Sequence, residues 1–147
     1  MKDKKTFKLF IFLIFTIGLC MPLLLQAAEV DQEFPYVNKI VFSKDVEENE
    51  PLLETDTFYL WDEKVVCWVS FNYNSDVPFV ISWEWTDPEG KIYHIGKIEM
   101  ESGNYRNYRT WYWITISDHN AANLPGEWKA TIFINDVLSA EKKFVIE

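Results

Sequence analysis

Residues 124–146 read LPGEWKATIFINDVLSAEKKFVI, two alternating apolar and polar runs joined by a short polar turn. Every second position of the first run is apolar, at Trp128, Ala130, Ile132 and Ile134. A period of two is typical of a half-buried β-strand. Asn135 and Asp136 suit a tight turn because their side chains tolerate positive φ angles. A second apolar face follows at Leu138, Ala140, Phe144 and Ile146. The pattern predicts a terminal β-hairpin, which needs an opposing sheet to bury its apolar face.

Similar strand patterns precede this hairpin. Alternation predicts strands over residues 36–42, 65–73, 79–86, 92–100 and 111–116, and a short strand around Phe58 and Leu60. Asp87-Pro88-Glu89-Gly90 has the residue chemistry of a type I turn, so residues 79–100 form a second hairpin. Residues 43–50 and 101–109 are predicted as polar loops, and residues 117–123 as one helical turn. About seven strands without a long helix predict an all-β fold, an antiparallel two-sheet sandwich of immunoglobulin-like or fibronectin III-like type.

The first 28 residues have the composition of a secretory signal peptide. Four lysines precede an apolar run over residues 9–25, and small residues follow at Ala27 and Ala28, near which we expect cleavage. An uncleaved membrane anchor and a lipid attached at Cys20 are the alternatives, although Leu19 is larger than the residue that normally precedes a lipidated cysteine. The sequence thus predicts a signal peptide over residues 1–28, a flexible leader over 29–36 and a β-sandwich domain over 37–147. The mature protein would be periplasmic, at the cell surface or secreted.

The charge of the chain excludes some partners. Removal of residues 1–28, which contain four lysines and one aspartate, leaves ten basic and 22 acidic residues, a formal charge of −12. Such a surface repels phosphate backbones and anionic lipids. We therefore expect no nucleic-acid partner and no membrane contact beyond the signal segment.

Cys67 is the one cysteine that remains after residue 28, so an internal disulfide is excluded. It lies between Val65 and Val69 on the apolar face of a predicted strand, which favours a buried, inert thiol over an intermolecular disulfide. Stability must then come from the core. Seven Trp, eleven Phe and seven Tyr in the chain suffice for this, since each buried aromatic removes roughly 150–250 Å² from water.

Several segments together resemble one kind of module. They are Trp83-Glu84-Trp85 running into the Asp87–Tyr93 turn, the stretch from Tyr105 to Trp113, Leu124-Pro125-Gly126-Glu127-Trp128, and the final hairpin ending Phe144-Val145-Ile146. This combination is similar to exported bacterial immunoglobulin-like β-sandwich modules of unassigned function. The resemblance covers residues 37–147 and brings no catalytic residues with it. The chain departs from that pattern at Asn135-Asp136, where an Asp-Gly pair is more usual.

Catalytic and metal-binding motifs are not apparent in the sequence. Ser117, Asp118 and His119 are adjacent, whereas the members of a catalytic triad come from distant positions; we expect His119 to be exposed. His94 shares a predicted face with Ile92 and Ile98, which favours a partly buried, hydrogen-bonded side chain. The histidine and cysteine spacing does not match a zinc site, and the acidic residues 43–50 do not match a calcium loop. We therefore expect no cofactor, no metal and no enzymatic activity.

The candidate binding residues are aromatics and arginines around one predicted strand: Tyr105, Arg106, Tyr108, Arg109, Trp111 and Trp113. Exposed Tyr, Trp and Arg side chains are frequent anchors at protein interfaces, and flat aromatic rings also stack on sugars. Trp111 and Trp113 alternate with Tyr112, Ile114 and Ile116, and the sequence leaves open which of these faces is buried. A sandwich of this size uses most of its tryptophans internally, which favours an inward orientation of both tryptophans and an outward one of Tyr112.

Three functions are compatible with these residues. The preferred one is an exported, non-catalytic module that binds another protein as an accessory or assembly component, with addition of a strand to a sheet edge as one binding mode. The alternative is a carbohydrate-binding module that uses the exposed aromatics. A hydrolase with paired carboxylates is the third, but it requires a cleft for which the chain offers no long insertion.

Overall fold

The computed structural model describes residues 35–147, which form nine β-strands and one short 3-10 helix at Asn120–Asn123. The predicted signal peptide, and the predicted leader up to residue 34, lie outside this range. Within it, no helix is long and apolar enough to cross a membrane. The strands are β1 Tyr36–Glu47, β2 Glu50–Glu54, β3 Thr57–Phe58, β4 Lys64–Ser75, β5 Phe79–Thr86, β6 Ile92–Met100, β7 Gly103–Thr115, β8 Gly126–Ile134 and β9 Val137–Ile146.

The strands form two sheets, as the alternating sequence predicts. One sheet has four strands in the order β2-β1-β4-β7, and the other has five in the order β3-β9-β8-β5-β6. All pairings are antiparallel except that between the two-residue strand β3 and β9. Strands β2 and β7 are the edges of the first sheet, and β3 and β6 are the edges of the second. The predicted all-β, two-sheet sandwich is confirmed.

The terminal hairpin forms as its sequence predicts. Asn135 and Asp136 have φ angles of 51° and 63°, which are the positive values that a two-residue type I′ turn requires. The predicted inner face of β8 is fully buried, at Trp128, Ala130, Ile132 and Ile134. Leu138 is an exception to the predicted second face, because it is 59% exposed. A register shift between Ile132 and Phe133 interrupts the pairing of β8 with β9 at this point.

The core lies between the sheets and is rich in aromatic rings. Phe144 of β9 packs on Phe42 of the opposite sheet with ring centroids 4.7 Å apart, and also contacts Phe58, Trp85 and Trp128. A second aromatic group, at the other end of the core, joins Phe71 and Phe79 to Tyr73 and Tyr105. Aromatic contacts thus connect the two sheets along their length.

Cys67 lies inside this core, as predicted. Its side chain is fully buried. Burial raises the pKa of the Cys67 thiol well above its ordinary value, and the indole of Trp83 opposes this shift only in part. The thiolate, which is the reactive form of cysteine, is therefore strongly disfavoured in the folded protein.

We expect Cys67 to resist thiol reagents until the protein unfolds. A colorimetric disulfide reagent added to native protein that lacks residues 1–28, and with them Cys20, should give almost no reaction over an hour, whereas denaturant should release one reactive thiol per chain. The reagent can reach a fully buried sulfur only through an opening of the core. Rapid reaction of the native protein would contradict this placement of Cys67, and Cys67→Ala serves as the blank.

Two segments predicted as loops are largely strand. β1 continues to Glu47 through part of the predicted run 43–50, and β7 begins at Gly103 within the predicted loop 101–109. Most side chains of both segments are exposed or half-buried, which agrees with their polar composition. The backbone is nevertheless paired, β1 with β2 and β7 with β4. In the region 51–64, Phe58 belongs to a strand as predicted, while Leu60 lies in the following loop.

Candidate functional site

All six predicted binding residues lie on β7, but a bulge divides them between its two faces. Asn107 has a φ angle of 48°, and its backbone N–H donates to the Asn72 Oδ1 at 2.6 Å. The pairing of β4 with β7 shifts at this point, so Tyr105 and Tyr108, three positions apart, both contact the ring of Phe71. The intervening Arg106 and the following Arg109 are exposed.

The two predicted tyrosines do not form a flat platform. Tyr105 is half-buried in the aromatic core, and its hydroxyl donates to the carbonyl of Glu101 at 2.8 Å. Tyr108 is 42% exposed, and its ring stands at 87° to that of Tyr105. A sugar ring that stacks on one tyrosine would therefore meet the edge of the other. Tyr105 is better described as a core residue than as a binding residue.

The tryptophan face of β7 points outward, opposite to the favoured orientation. Ile114 and Ile116 are buried, and Tyr112 is half-buried against Trp83 of the facing sheet, with ring centroids 5.9 Å apart. Trp111 is half-buried and Trp113 is 48% exposed. The alternation of β7 was correct, but the assignment of its inner face was wrong.

The tryptophans of β7 can face outward because part of the chain covers the outer face of the four-stranded sheet. The turn between β1 and β2 lies over Trp68 of β4, whose indole N–H donates to the carbonyl of Asn49 at 2.9 Å and which is 3% exposed. Glu50 forms an ion pair of 2.5 Å with Arg109 of β7. A tryptophan can therefore be shielded on the outside of this sheet, and an inward orientation is not needed to bury it.

Strands β6 and β7 are the edges of the two sheets on the same side of the sandwich, and they enclose a groove. We call it the edge groove. Trp113 separates it into two cavities of about 300 Å³ and 390 Å³. The smaller cavity is lined by Tyr93, His94, Tyr112, Trp113, Thr115 and His119, among others. The larger is lined by Ile98, Met100, Tyr108, Arg109, Trp111 and Trp113, among others.

Gly96 allows the two edges to approach at the smaller cavity. A Cβ atom at this position would lie 2.3 Å from Cε1 of Tyr112, much closer than side-chain atoms can pack. The Tyr112 ring therefore rests against the backbone of β6. It also stacks beside the ring of His94, with 3.5 Å between the tyrosine hydroxyl and Nε2 of the histidine.

The smaller cavity brings together both histidines of the chain, which the sequence analysis did not pair. His119 is exposed, as predicted, and follows Asp118, whose φ angle of 59° marks a turn. His94 is exposed rather than partly buried. It lies opposite Trp85 on the inner face of β6, but β6 is an edge strand, so solvent reaches its side chain. The pairing of Trp85 with His94 places the histidine on the inner face of β6. Strand alternation in the sequence does not reveal that β6 lies beside β7, so it could not bring His94 and His119 together.

The chemistry of the edge groove is aromatic and nearly neutral. Neither cavity is lined by a carboxylate, so the acid and base pair of a glycoside hydrolase is not assembled there. Residues 35–147 hold no group of three or more His, Cys, Asp or Glu side chains arranged for a metal ion. Apolar walls with a few polar groups are typical of a binding site.

Comparison with known proteins supports the fold. No protein family and no curated protein matches the sequence. Among solved structures, an immunoglobulin-like protein from Pseudomonas aeruginosa superposes with a TM-score of 0.51 at 16% identity, over 80% of this chain and 99% of that one. The alkylpurine DNA glycosylase AlkC from Pseudomonas fluorescens superposes with a TM-score of 0.49 at 9% identity, over 77% of this chain and 30% of that one. The likeness to the immunoglobulin-like protein agrees with the two-sheet architecture, and the chain has the immunoglobulin-like fold that its strand pattern predicts.

Proposed function

We propose that this chain is an exported, non-catalytic module that binds another protein through its edge groove. In the proposed complex, an extended segment of the partner lies along β7 and adds a strand to the four-stranded sheet. Main-chain hydrogen bonds supply affinity in this mode, and pockets for alternate side chains supply specificity. The cavities on either side of Trp113 would take the side chains of the partner.

The contrast between the two sides of the sandwich carries this proposal. On one side, β3 has two residues and β2 has five, with Pro51 and a positive φ angle of 59° at Leu53. Short strands, proline and irregular backbone are the usual protection of a sheet edge. On the other side, β6 has nine residues and β7 has thirteen, neither contains proline, and among residues 35–147 each pairs along one side only. The bulge of β7 lies at Asn107, and beside the two cavities the pairing is regular, from Tyr108 to Thr115 in β7 and from His94 to Met100 in β6. Two long edges left open together suit a binding surface.

Export of the chain belongs to the same proposal and rests on the composition of residues 1–28. Its test is the mass of the protein recovered from the compartment outside the inner membrane. A mature form that begins at Ala28 or Glu29 is the expected result. Recovery of the full-length chain with the cell membranes would instead indicate an anchor.

Site-directed photo-crosslinking tests the binding surface. A benzophenone amino acid replaces Tyr108 or Trp113 in cells that express the full chain, with Leu138, an exposed position outside the groove, as the matched control. We expect a discrete protein adduct from the two groove positions and none from position 138. In the purified complex, Trp113→Ala should weaken binding by roughly tenfold or more, because central tryptophans dominate interface energies. Adducts at position 138 alone would refute the assignment of the groove.

Carbohydrate binding is the second candidate, and the exposed ring of Trp113 beside His94, Thr115 and His119 favours it. Of the four aromatics proposed from the sequence, Trp113 has the most exposed ring available for stacking. Calorimetric titration with soluble oligosaccharides tests this function. Binding that disappears in Trp113→Ala, without a protein adduct at the groove, would replace the protein-binding proposal.

A further inference from the structure

The loop between β3 and β4 exposes the most accessible tryptophan of the described residues. Trp61 is 75% exposed, and its neighbours Tyr59 and Leu60 are 37% and 38% exposed. The rings of Tyr59 and Trp61 are stacked with an interplanar angle of 4° and centroids 4.8 Å apart. Because Tyr59 covers one face of the indole, the opposite face is turned to solvent. We call residues 59–63 the Trp61 loop.

Hydrogen bonds hold the Trp61 loop in this conformation. The carboxylate of Asp62 accepts the backbone N–H of Tyr59 at 2.9 Å through one oxygen and the Lys44 ammonium at 2.8 Å through the other. The backbone N–H of Asp62 donates to the carbonyl of Tyr59 at 2.9 Å. These bonds fix the backbone on both sides of Trp61, and the stack on Tyr59 orients the indole, which lowers the entropy lost on binding.

Contacts with the rest of the sandwich fix the loop from outside. The backbone N–H groups of Ile116 and Ser117 donate to the carbonyls of Glu63 and Asp62 at 2.8 and 3.2 Å, and that of Leu60 donates to Glu147 at 3.0 Å. The loop is therefore joined to the segment after β7 and to the end of β9. A large apolar ring exposed on a loop whose backbone is held in place is typical of an interaction surface.

Charge identifies the kind of partner. Glu63 in the loop and Asp118, next to the bonded Ser117, are exposed and form no ion pair with residues 35–147. The nearby cations are already engaged, Lys44 with Asp62 and Lys64 with Asp45. Lys44 also lies over the Tyr59 ring, 5.6 Å from its centroid, so its charge is already used within the loop. The exposed charges left without an ion-pair partner around the loop are therefore negative. The residues from 29 onward also carry a formal charge of −12.

We propose that the Trp61 loop docks a basic segment of a partner protein, with a Lys or Arg side chain stacked on the free face of Trp61. A cation is attracted to the electron-rich face of an indole, and Trp is the strongest aromatic partner for it. Glu63 and Asp118 supply carboxylates for the same cation or its neighbours. This surface adjoins the edge groove at Asp118 and His119, but Trp61, Glu63 and Asp118 line neither cavity, so binding at the loop can be tested separately from binding in the groove.

Peptide titration tests this proposal with the protein purified after expression of the full chain. The probe is a blocked Gly-Arg-Gly-Arg-Gly peptide, and the readout is the NMR signal of the Trp61 indole N–H, assigned by its loss in Trp61→Phe. We expect saturable shifts that weaken with added salt, because exposed charges are screened. Variants at position 61 lack this signal, so their affinities are read from the backbone amide shifts of the neighbouring Glu63 and Ser117. Trp61→Ala should weaken binding roughly two- to fivefold, the size of an exposed cation–π contact, while Trp113→Ala should leave it unchanged.

Two further variants separate a cation site from a merely apolar surface. Trp61→Leu keeps an apolar side chain but removes the aromatic face, so it should lose binding almost as Trp61→Ala does. Glu63→Gln combined with Asp118→Asn should weaken binding severalfold and reduce its salt dependence. The proposal is overturned if the peptide does not shift the Trp61 signal, or if Trp61→Leu binds as the parent does. A Trp61-dependent shift with phosphatidylcholine vesicles or chito-oligosaccharides, without one from the peptide, would also overturn it.

Discussion

Phe144→Ala is expected to lower the free energy of unfolding by about 3–5 kcal/mol, the range for removal of a buried aromatic ring. Phe144 is 1% exposed and contacts the rings of Phe42, Phe58, Trp85 and Trp128. Its partner Phe42 belongs to the opposite sheet, so the substitution opens a cavity between the sheets. The surrounding rings are large and rigid, so the cavity cannot close fully. Urea denaturation followed by circular dichroism gives the difference in stability.

Phe133→Ala is the matched control for this prediction. Phe133 lies on β8 of the same hairpin but outside the core, and it is only half-buried. It is expected to lose about 1 kcal/mol, since most of the transfer energy of a ring is lost only when the ring is fully buried. Equal losses for the two substitutions would contradict the central position of Phe144.

The sequence predicted those parts of the fold where burial repeats every second residue. Strand β5 and strand β6 have their predicted limits, and the buried face of β5 is its apolar face, including Trp83 and Trp85. A central strand such as β5 can be predicted from the sequence because its inner side chains must be apolar whichever strand it pairs with. The type I′ turn at Asn135 and Asp136 could be predicted from these two residues alone, since few residue types accept positive φ angles.

The edge strands were predicted only in part: β6 has its predicted limits, whereas β7 is much longer than predicted. The first half of β7, from Gly103 to Arg109, has polar side chains on both sides and a bulge at Asn107, so its pattern resembles a loop. Its strand conformation comes from pairing with β4, a neighbour about thirty to forty residues earlier in the chain. Similarly, the two-residue strand β3 is defined by its pairing with β9. Pairings between distant segments cannot be predicted from the alternation of apolar and polar residues within one segment.

The candidate site was found by residue type but not by geometry. The aromatics of β7 do mark the edge groove, yet their orientation depends on the turn between β1 and β2, which shields Trp68 through the carbonyl of Asn49. The sequence contains no sign of this contact because it joins an exposed polar turn to a distant strand. For the same reason, the proximity of His94 to Tyr112 and the exposure of Trp61 became apparent only from the fold.

Gly96→Ala is expected to destabilise the protein by about 1–3 kcal/mol, the usual cost of overpacking, although it adds a single methyl group to an edge strand. The new Cβ would meet the Tyr112 ring at 2.3–2.5 Å. The ring contacts the buried Trp83, so its displacement disturbs the core as well as the groove. Gly103→Ala is the matched control, since the nearest atom to its Cβ would be a ring carbon of Tyr105 at 3.4 Å, an ordinary contact.

A double-mutant cycle with Tyr112→Leu shows whether the clash is the cause. Leucine is shorter than tyrosine, so the second substitution should remove most of the cost of the first, and the two free-energy changes should not add. Chemical denaturation of the four proteins gives the coupling energy. Additive losses would mean that Gly96 is required for another reason, such as backbone flexibility, and that Tyr112 does not bridge the two edges. A double variant that loses less stability than the sum of the two single variants would show that β6 and β7 are held at a fixed distance by this contact. Under the binding proposal, that distance determines which side chains of a partner can enter the smaller cavity of the edge groove.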